Sequence, residues 1–567
     1  MLASLPTQAT DILDYTWADI APHAEAFRQR DITADTLDSF LRDLTAFLRL
    51  IGEMGSRIYV ATTENTQDEV AKRRFMTLIQ EIQPQMSRFE NDMNLKLLNS
   101  GLEPANYYPV MRYIRKQVEI FREENLPLIS QVAELENRFN EIIGAQTVEF
   151  DGETRTLVQM NLLQFSPDRA LRERAFRAVH ARRLQDREAL NDLWVQMFKL
   201  RQQIARNAGF DNFLEYQWMN YGRFDYTIED TRRFHEAIEQ VVVPAVNRLN
   251  EKRRRALGLD VLKQWDVLVD TYNREPLKPF RTGAELTAGA QRIFDAVDPE
   301  LGGFFRIMAD EGYLDLENRP NKAPGGYCTS FPQVQRSYIF MNAVGLHDDL
   351  QTMLHEGGHA FHNFEAFHHP YVGQHHAPIE FCEVASMGME LFAQPYLVAE
   401  RGGFYSAKDA ARASIEHLEN MLVFWPYMAV VDAFQQWAYT SGDAALDPAN
   451  CDAKWEELWH RFKQGVDYSE PAEWAKLGWH RKLHIFTVPL YYIEYGIAQL
   501  GAAQVWANSL QDHAGALKAY RRALALGNTR TLPELFEAAG AKLSFDADTL
   551  GRMVELIESK IAEFEAV

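Results

Sequence analysis

The chain has 567 residues, 46% of them hydrophobic and 25% charged, with a formal charge of −21 at pH 7, the balance of a soluble globular protein able to bury about three or four cores. So acidic a chain argues against a nucleic-acid partner, which needs a basic face, and no run approaches the roughly 18 apolar residues of a membrane span. Three cysteines, Cys328, Cys382 and Cys451, form no CxxC pair and do not read as a disulfide framework; with an N-terminal stretch that lacks the features of a signal peptide, the expected location is a reducing cytoplasm.

Most of the chain reads as helix. Residues 118–143, VEIFREENLPLISQVAELENRFNEII, place apolar side chains at three- and four-residue steps before Gly144, which predicts one helix with a glycine stop. Residues 147–158 change period, and Asp151-Gly152 between two β-prone runs predicts a hairpin. That hairpin marks the expected boundary between an N-terminal helical lobe, 1–145, and the remainder, 146–567. Helix resumes from about residue 168. Thr227 and Asp230 stand in capping-box spacing at the head of a run that ends at Gly258, again a helix. Within 320–344, APGGYCTSFP reads as a loop and RSYIFMNAV as a short strand. Residues 421–434 predict a buried helix kinked at Pro426. Residues 516–527 look like half of a helical repeat unit with no second copy, and the tail from Asp548 predicts a packed amphipathic helix.

The chemistry concentrates at residues 355–362, HEGGHAFH. On a helix His355 and His359 emerge one turn apart and about 40° from each other around the axis, as two imidazole ligands of one zinc ion require. Glu356, turned by about 100°, stands beside such an ion and can take a proton from its water. Composition predicts only roughly 0.03 chance matches to HExxH in such a chain. A catalytic zinc takes a third protein ligand. Glu365 lies about 280° round the helix and cannot easily join. Residues 378–392, PIEFCEVASMGMELF, supply Glu380, Glu383 and Glu390; Glu380 and Glu383 lie on adjoining faces, and composition leaves both open. Gly357 and Gly358 each cost a helix about 1 kcal/mol relative to alanine, so either a strand or substrate, or a tightly packed helix, is expected to come close there. His362 reads as packing. His368, His369, His375 and His376 read as a surface or cleft-lining loop instead of a second metal cluster.

With EVAS opening 24 residues beyond His359, the pattern resembles the thimet oligopeptidase and oligoendopeptidase F family of zinc metallopeptidases, in particular its shorter Pz-peptidase-like bacterial members. The resemblance runs from about 320 to 500 and includes MNAVGLHDDLQTMLHEGGH, with Asp349 and Thr352 in matching positions. It implies a mainly α, two-lobed helical shell around a deep substrate cleft, with a small β-sheet beside the HExxH helix. It implies one Zn2+ ion on His355, His359 and Glu383, Ser386 completing the E-x-x-S sequence, and Glu356 as general base. HRKLHIFTVPLYYIEYG, 480–496, resembles the family's segment that binds the substrate carbonyl and stabilises the oxyanion. There His484 and Tyr495 match best, with Tyr491 and Tyr492 adjacent, while Thr487 and Val488 stand where some members carry a further tyrosine. A phenol can donate to such an oxyanion. GGYCTSF, 325–331, resembles a cleft segment, implying substrate contacts at Gly325, Gly326 and Tyr327; strand 337–342 reads as an edge that pairs with substrate backbone. The implied activity is endopeptidase cleavage of short, unstructured oligopeptides. One alternative is a carboxypeptidase or dipeptidyl carboxypeptidase, whose cationic anchor no single Arg or Lys announces. The other is a non-catalytic, metal-containing peptide-binding protein, against which an intact Glu356 argues.

Overall fold

Prolines set where the long helical runs divide. The computed structural model describes residues 6–567 except Pro320, Pro324 and Ala472. The run expected as one helix over 118–143 is two, Tyr108–Ile120 and Leu126–Gly144, with Pro127 in the first turn of the second. There its missing N–H is no loss and its fixed φ suits the helix. Thr227 caps Ile228–Ala237, accepting from the Asp230 N–H at 3.1 Å while the Asp230 carboxylate accepts from the Thr227 N–H at 2.7 Å. A π-turn over Ile238–Val242 then leads into Val243–Ala256, which has Pro244 in its first turn; the wider turn spares the hydrogen bond that proline cannot make. Pro426 does not interrupt its helix, for it lies buried inside a single 34-residue element, Ala407–Thr440.

Two small sheets interrupt the helices. β1 (Thr147–Phe150) and β2 (Glu153–Thr156) pair antiparallel with Phe150 opposite Glu153. Asp151 and Gly152 between them have φ of 51° and 83°, as a two-residue hairpin turn demands. The second sheet contains β3 (Leu314–Glu317), β4 (Tyr327–Phe331) and β5 (Arg336–Ala343) in the order β3-β5-β4. This corrects the expectation of an edge strand at 337–342. β5 is central, parallel to β3 and antiparallel to β4, so neighbours occupy both of its hydrogen-bonding sides. The edge is β4, whose residues read as a loop because Gly325, Gly326 and Pro332 flank the strand; such residues bound strands as often as they fill turns.

Side-chain alternation along β5 divides the sheet's packing. Ile339, Met341 and Ala343 join the main apolar core, while Tyr338 and Phe340 pack with Phe331 and Val60 of the helix Leu37–Glu64. A separate N-terminal core runs from Ala9 to Ile114 and includes Tyr371, whereas the main core begins at Ile120 and ends at Ile561. The helix Leu126–Gly144 already contributes Val132 and Phe139 to the main core. Apolar packing therefore divides between Ile114 and Ile120, ahead of the hairpin. The protein is mainly helical, and the sheet of β3–β5 packs against the helix His347–Ala366, which carries HEGGH.

Candidate active site

The Asp349 carboxylate starts this helix. Its Oδ2 accepts from the N–H groups of Val344, Gly345 and Leu346 at 2.9, 2.8 and 2.8 Å, a negative charge at the positive end of the helix dipole. Along the helix His355 and His359 follow one turn apart, their ring centroids separated by 5.0 Å. The two glycines between them decide what can lie alongside. A Cβ on Gly357 would come 2.6 Å from the ring of Phe294, and one on Gly358 would come 2.6 Å from both the Ala385 carbonyl oxygen and Ser386 Cα. The close neighbour is thus a packed helix, Ile379–Ala393, whose backbone runs against the motif helix at Gly358.

That contact delivers the third donor, a carboxylate. Glu383 Oε2 lies 3.4 Å from His355 Nε2 and 3.6 Å from His359 Nε2, and the three residues form the one group of potential metal ligands among the described residues. Tetrahedral ligands held about 2.1 Å from an ion stand about 3.4 Å from one another, so the donor set fits a small divalent cation. Glu380, which composition could not separate from Glu383, is engaged elsewhere: it accepts the Tyr226 hydroxyl at 2.6 Å in a buried network. Ser386 Oγ donates to Glu383 Oε2 at 3.1 Å, and the Tyr491 hydroxyl donates to Oε1 at 2.9 Å. Burial opposes ionisation of Glu383, but His359, His355 and Tyr491 hold its pKa down at about 2.

Glu390 is the residue that sequence reasoning left without a role. Its Oε1 meets His355 Nδ1 at 2.6 Å, and its Oε2 lies 3.5 Å from His417 Nδ1. A proton shared on Nδ1 leaves the Nε2 lone pair of His355 facing Glu383 and available to a cation. The available signal was spacing, since seven residues, the separation of Glu383 and Glu390, is close to two helical turns. Glu356 is buried, at 7% exposure, beside this group. Burial raises its carboxyl above the usual range, against the pull of His355 and His359, which makes it a stronger proton acceptor.

The expected His/Tyr segment faces the same place, but its three phenols differ. Tyr491 is bonded to Glu383. Tyr492 is 5% exposed and accepts from Lys482 Nζ at 2.9 Å. Tyr495 lies 3.4 Å from His484 Nε2, and its hydroxyl feels the charges of Glu383, Glu494 and Glu356. His484 is pushed down to about 3 by burial and by Lys482, so its imidazole is neutral. Leu490, just before the segment, has φ of +67°, a left-handed backbone that costs a branched residue about 1–3 kcal/mol. Gln435 Oε1 accepts its N–H at 2.8 Å and Arg223 donates to its carbonyl at 2.6 Å, which fixes the direction in which Tyr491 leaves the chain.

The sequence profile of peptidase family M3 matches residues 162–555, which is well over half of the chain. The chain belongs to peptidase family M3. It is 23% identical over 345 residues to an oligoendopeptidase F homolog of Lactococcus lactis subsp. lactis (strain IL1403), covering 58% of this chain and 53% of that protein. It is 26% identical over 159 residues to the chromosomal oligoendopeptidase F of Lactococcus lactis subsp. cremoris, covering 28% and 26%. The aligned part thus spans about half the length, or less, of these relatives. Among solved structures it superposes on Pz peptidase A with inhibitor 2 at a TM-score of 0.89, with 25% identity and 99% of each chain covered. Oligoendopeptidase-F from Enterococcus faecium shares the fold, with a TM-score of 0.64 at 15% identity over 98% of this chain and 99% of that one.

In this M3 protein the other expected site residues are placed as follows. Tyr327 turns away from the two imidazoles: its hydroxyl meets Thr63 Oγ1 at 2.6 Å and its ring stacks on Phe340 at 4.9 Å. The pleat of β4 turns its neighbour Cys328 to the opposite side, within the field of Glu356. Gly326 lies against the Phe340 carbonyl and Thr352, where a Cβ would come to 3.4 Å from each, and the Gly325 carbonyl accepts from Asn342 Nδ2 at 2.9 Å. In the histidine loop the rings are spoken for by backbone carbonyls: His368 by Glu365, His369 by Ala525 and His375 by His369, at 2.7, 2.9 and 3.0 Å; His376 is exposed. His362 is buried against Phe381 and pushed down to about 3 by burial and by the neighbouring His359 and His376.

Proposed function

We propose that the protein is a zinc-dependent endopeptidase that hydrolyses internal bonds of short, unstructured peptides. The observation that carries this reading is the His355–His359–Glu383 donor set, 3.4–3.6 Å from nitrogen to oxygen, with the buried Glu356 beside it, in a chain of peptidase family M3. A divalent zinc ion held by those three side chains supplies Lewis acidity to the attacking water and the scissile carbonyl. Glu356 accepts the proton released by the water and delivers it to the departing amine. Tyr495, steered by the neutral His484, donates to the oxyanion as the tetrahedral centre forms. Tyr491 and Glu390 orient Glu383 and His355, and Lys482 ties back the hydroxyl of Tyr492. The backbone at Gly325–Gly326 and the edge of β4 take the extended substrate by added-strand pairing, while Tyr327 anchors that edge to the N-terminal helices. No helix of the described residues is long and apolar enough to cross a membrane, and three free cysteines accord with a reducing compartment such as the cytoplasm.

The test is mass spectrometry of products from a mixed peptide library and from a folded protein, each with and without a chelator. Internal cleavage of peptides, abolished by chelation and restored by Zn2+, is expected, with the folded protein untouched. Glu356→Gln is expected to lower kcat by about 10²–10⁴-fold with metal content unchanged. Full activity of that variant would refute the mechanism.

A further inference from the structure

A group of cations lies next to Tyr492, whose ring packs on His484. Lys482 Nζ, besides donating to the Tyr492 hydroxyl, lies 4.0 Å from the centroid of that ring and 5.3 Å from that of Tyr427. Arg481 stacks its guanidinium 4.8 Å above Trp474. Arg183, on the helix Arg169–Gln185, lines the same cavity as Arg481, together with Gln146, Trp474 and His480. Lys463, following the helix Pro448–Phe462, reaches the Val423 carbonyl at 3.5 Å. Among the described residues, none of these four cations has a carboxylate oxygen within 4.0 Å. That is unexpected in a chain where 80 acidic residues outnumber 59 basic ones.

Arg481 acts on the other three. Burial pushes Arg183 down to about 9, Lys463 to about 8 and Lys482 to about 7, and Arg481 adds repulsion to each. Desolvated cations without a counter-charge weaken a fold, so packing alone gives no reason for them. Their place relative to the candidate site does. The Tyr492 ring lies 4.9 Å from that of His484, and Phe424 touches both Tyr492 and Tyr495, at 5.6 and 6.3 Å between centroids. Val423, Phe424 and Tyr427 share one turn of the helix Ala407–Thr440, so one helix face joins the oxyanion-side tyrosines to Lys463 and Lys482.

We propose that Arg183, Lys463, Arg481 and Lys482 form a carboxylate subsite that fixes one part of the bound peptide. The enzyme then selects peptides with a carboxylate a few residues from the scissile bond, an inference that rests on the peptidase reading above. A peptide carboxylate supplies the counter-charge the group lacks, with Arg481 offering its planar fork and the lysines point charges. Extended substrate advances about 3.3 Å per residue, so the distance from the scissile bond to the preferred carboxylate is fixed by the subsite and not by the cleaved sequence. The field of a cationic patch within a cleft also draws anionic peptides in.

The experiment uses one neutral octapeptide, acetylated and amidated, and two sets of relatives. One carries a free C-terminal carboxylate at different distances from the scissile bond; the other stays amidated and has a single Glu walked through each position. At least one placement is expected to raise kcat/KM by about tenfold over the neutral peptide, chiefly through KM, the scale of a charge-assisted contact. A gain in the first set alone assigns the subsite to the peptide terminus, and a gain in the second to an acidic side chain. Lys463→Gln with Arg481→Gln is expected to bring the ratio close to one, and Arg183→Gln, on another helix, repeats the test if the double variant does not fold. A flat profile across both sets, with all peptides cleaved, overturns the subsite and leaves the peptidase reading intact; so does a folded double variant that keeps the full ratio. Absence of hydrolysis in every peptide overturns both.

Discussion

Glu383 divides its two oxygens between different tasks: Oε2 faces the imidazoles and Ser386, and Oε1 accepts from Tyr491. Two neighbouring phenols should therefore fail in different ways. Tyr491→Phe removes a hydrogen bond from a proposed ligand, and metal affinity is expected to fall by about 10–100-fold, with turnover largely recovered at saturating Zn2+. Tyr495→Phe removes the proposed donor to the oxyanion, so kcat is expected to fall by about 10²–10³-fold with metal affinity unchanged. Metal titration in competition with a chelator, alongside kinetics at saturating metal, separates the two; identical behaviour of the variants would contradict the assignment. The resemblance matched Tyr495 best and kept Tyr491 as an adjacent candidate, without saying what either hydroxyl meets. Their separate roles depend on where each hydroxyl finds a partner, and those partners lie 108 residues away at Glu383 and 11 residues away at His484.

At the scale of elements, the helix pair His347–Ala366 and Ile379–Ala393 meets at Gly358 with no room for a methyl group. Gly358→Ala forces backbone against backbone, and a loss of about 1–3 kcal/mol is expected, together with weaker metal binding because Glu383 moves with its helix. Gly303, inside the helix Pro299–Asp310, has nothing within 4 Å of its missing Cβ. Gly303→Ala is expected to stabilise by up to about 1 kcal/mol through helix propensity alone. Thermal melts of the two variants should shift in opposite directions; a stabilised Gly358→Ala would show that the helices can part without harm. The sequence announced both glycines of HEGGH as costly to a helix and left open what approached them. Only a neighbouring helix, chosen by its own apolar face, answered that.

At the scale of the molecule, the helix Arg169–Gln185 is tied to the segment Gln264–Asp266 by a buried ion cluster. Asp266 accepts from Arg169 at 2.9 and 2.8 Å and from Arg172 at 2.9 Å, with its own side chain fully buried. Burial opposes its ionisation, yet Arg169, the Lys263 N–H and Arg172 hold its carboxyl below the ordinary 3.8. A folded-state value below the unfolded one means that its stabilisation is complete above about pH 3.8 and is lost as pH falls through the lower, folded-state value. Asp266→Asn is expected to cost about 3–5 kcal/mol at pH 7, because two arginines lose their shared carboxylate, and to flatten the acid limb of stability. Urea denaturation of both proteins between pH 7 and 2 checks this; parallel curves would rule it out.

What the sequence determined by itself was local. One helical turn between His355 and His359, the capping box at Thr227 and the Asp151-Gly152 turn follow from spacings of a few residues, because backbone geometry alone decides which side chains share a face. Tertiary structure decided which of Glu380 and Glu383 meets the imidazoles, that β5 is central and β4 the edge, that Pro426 stays inside its helix, and that Arg183 and Arg481 line one cavity. Each of these depends on partners tens to hundreds of residues away, and no local periodicity encodes which distant surfaces will bury one another.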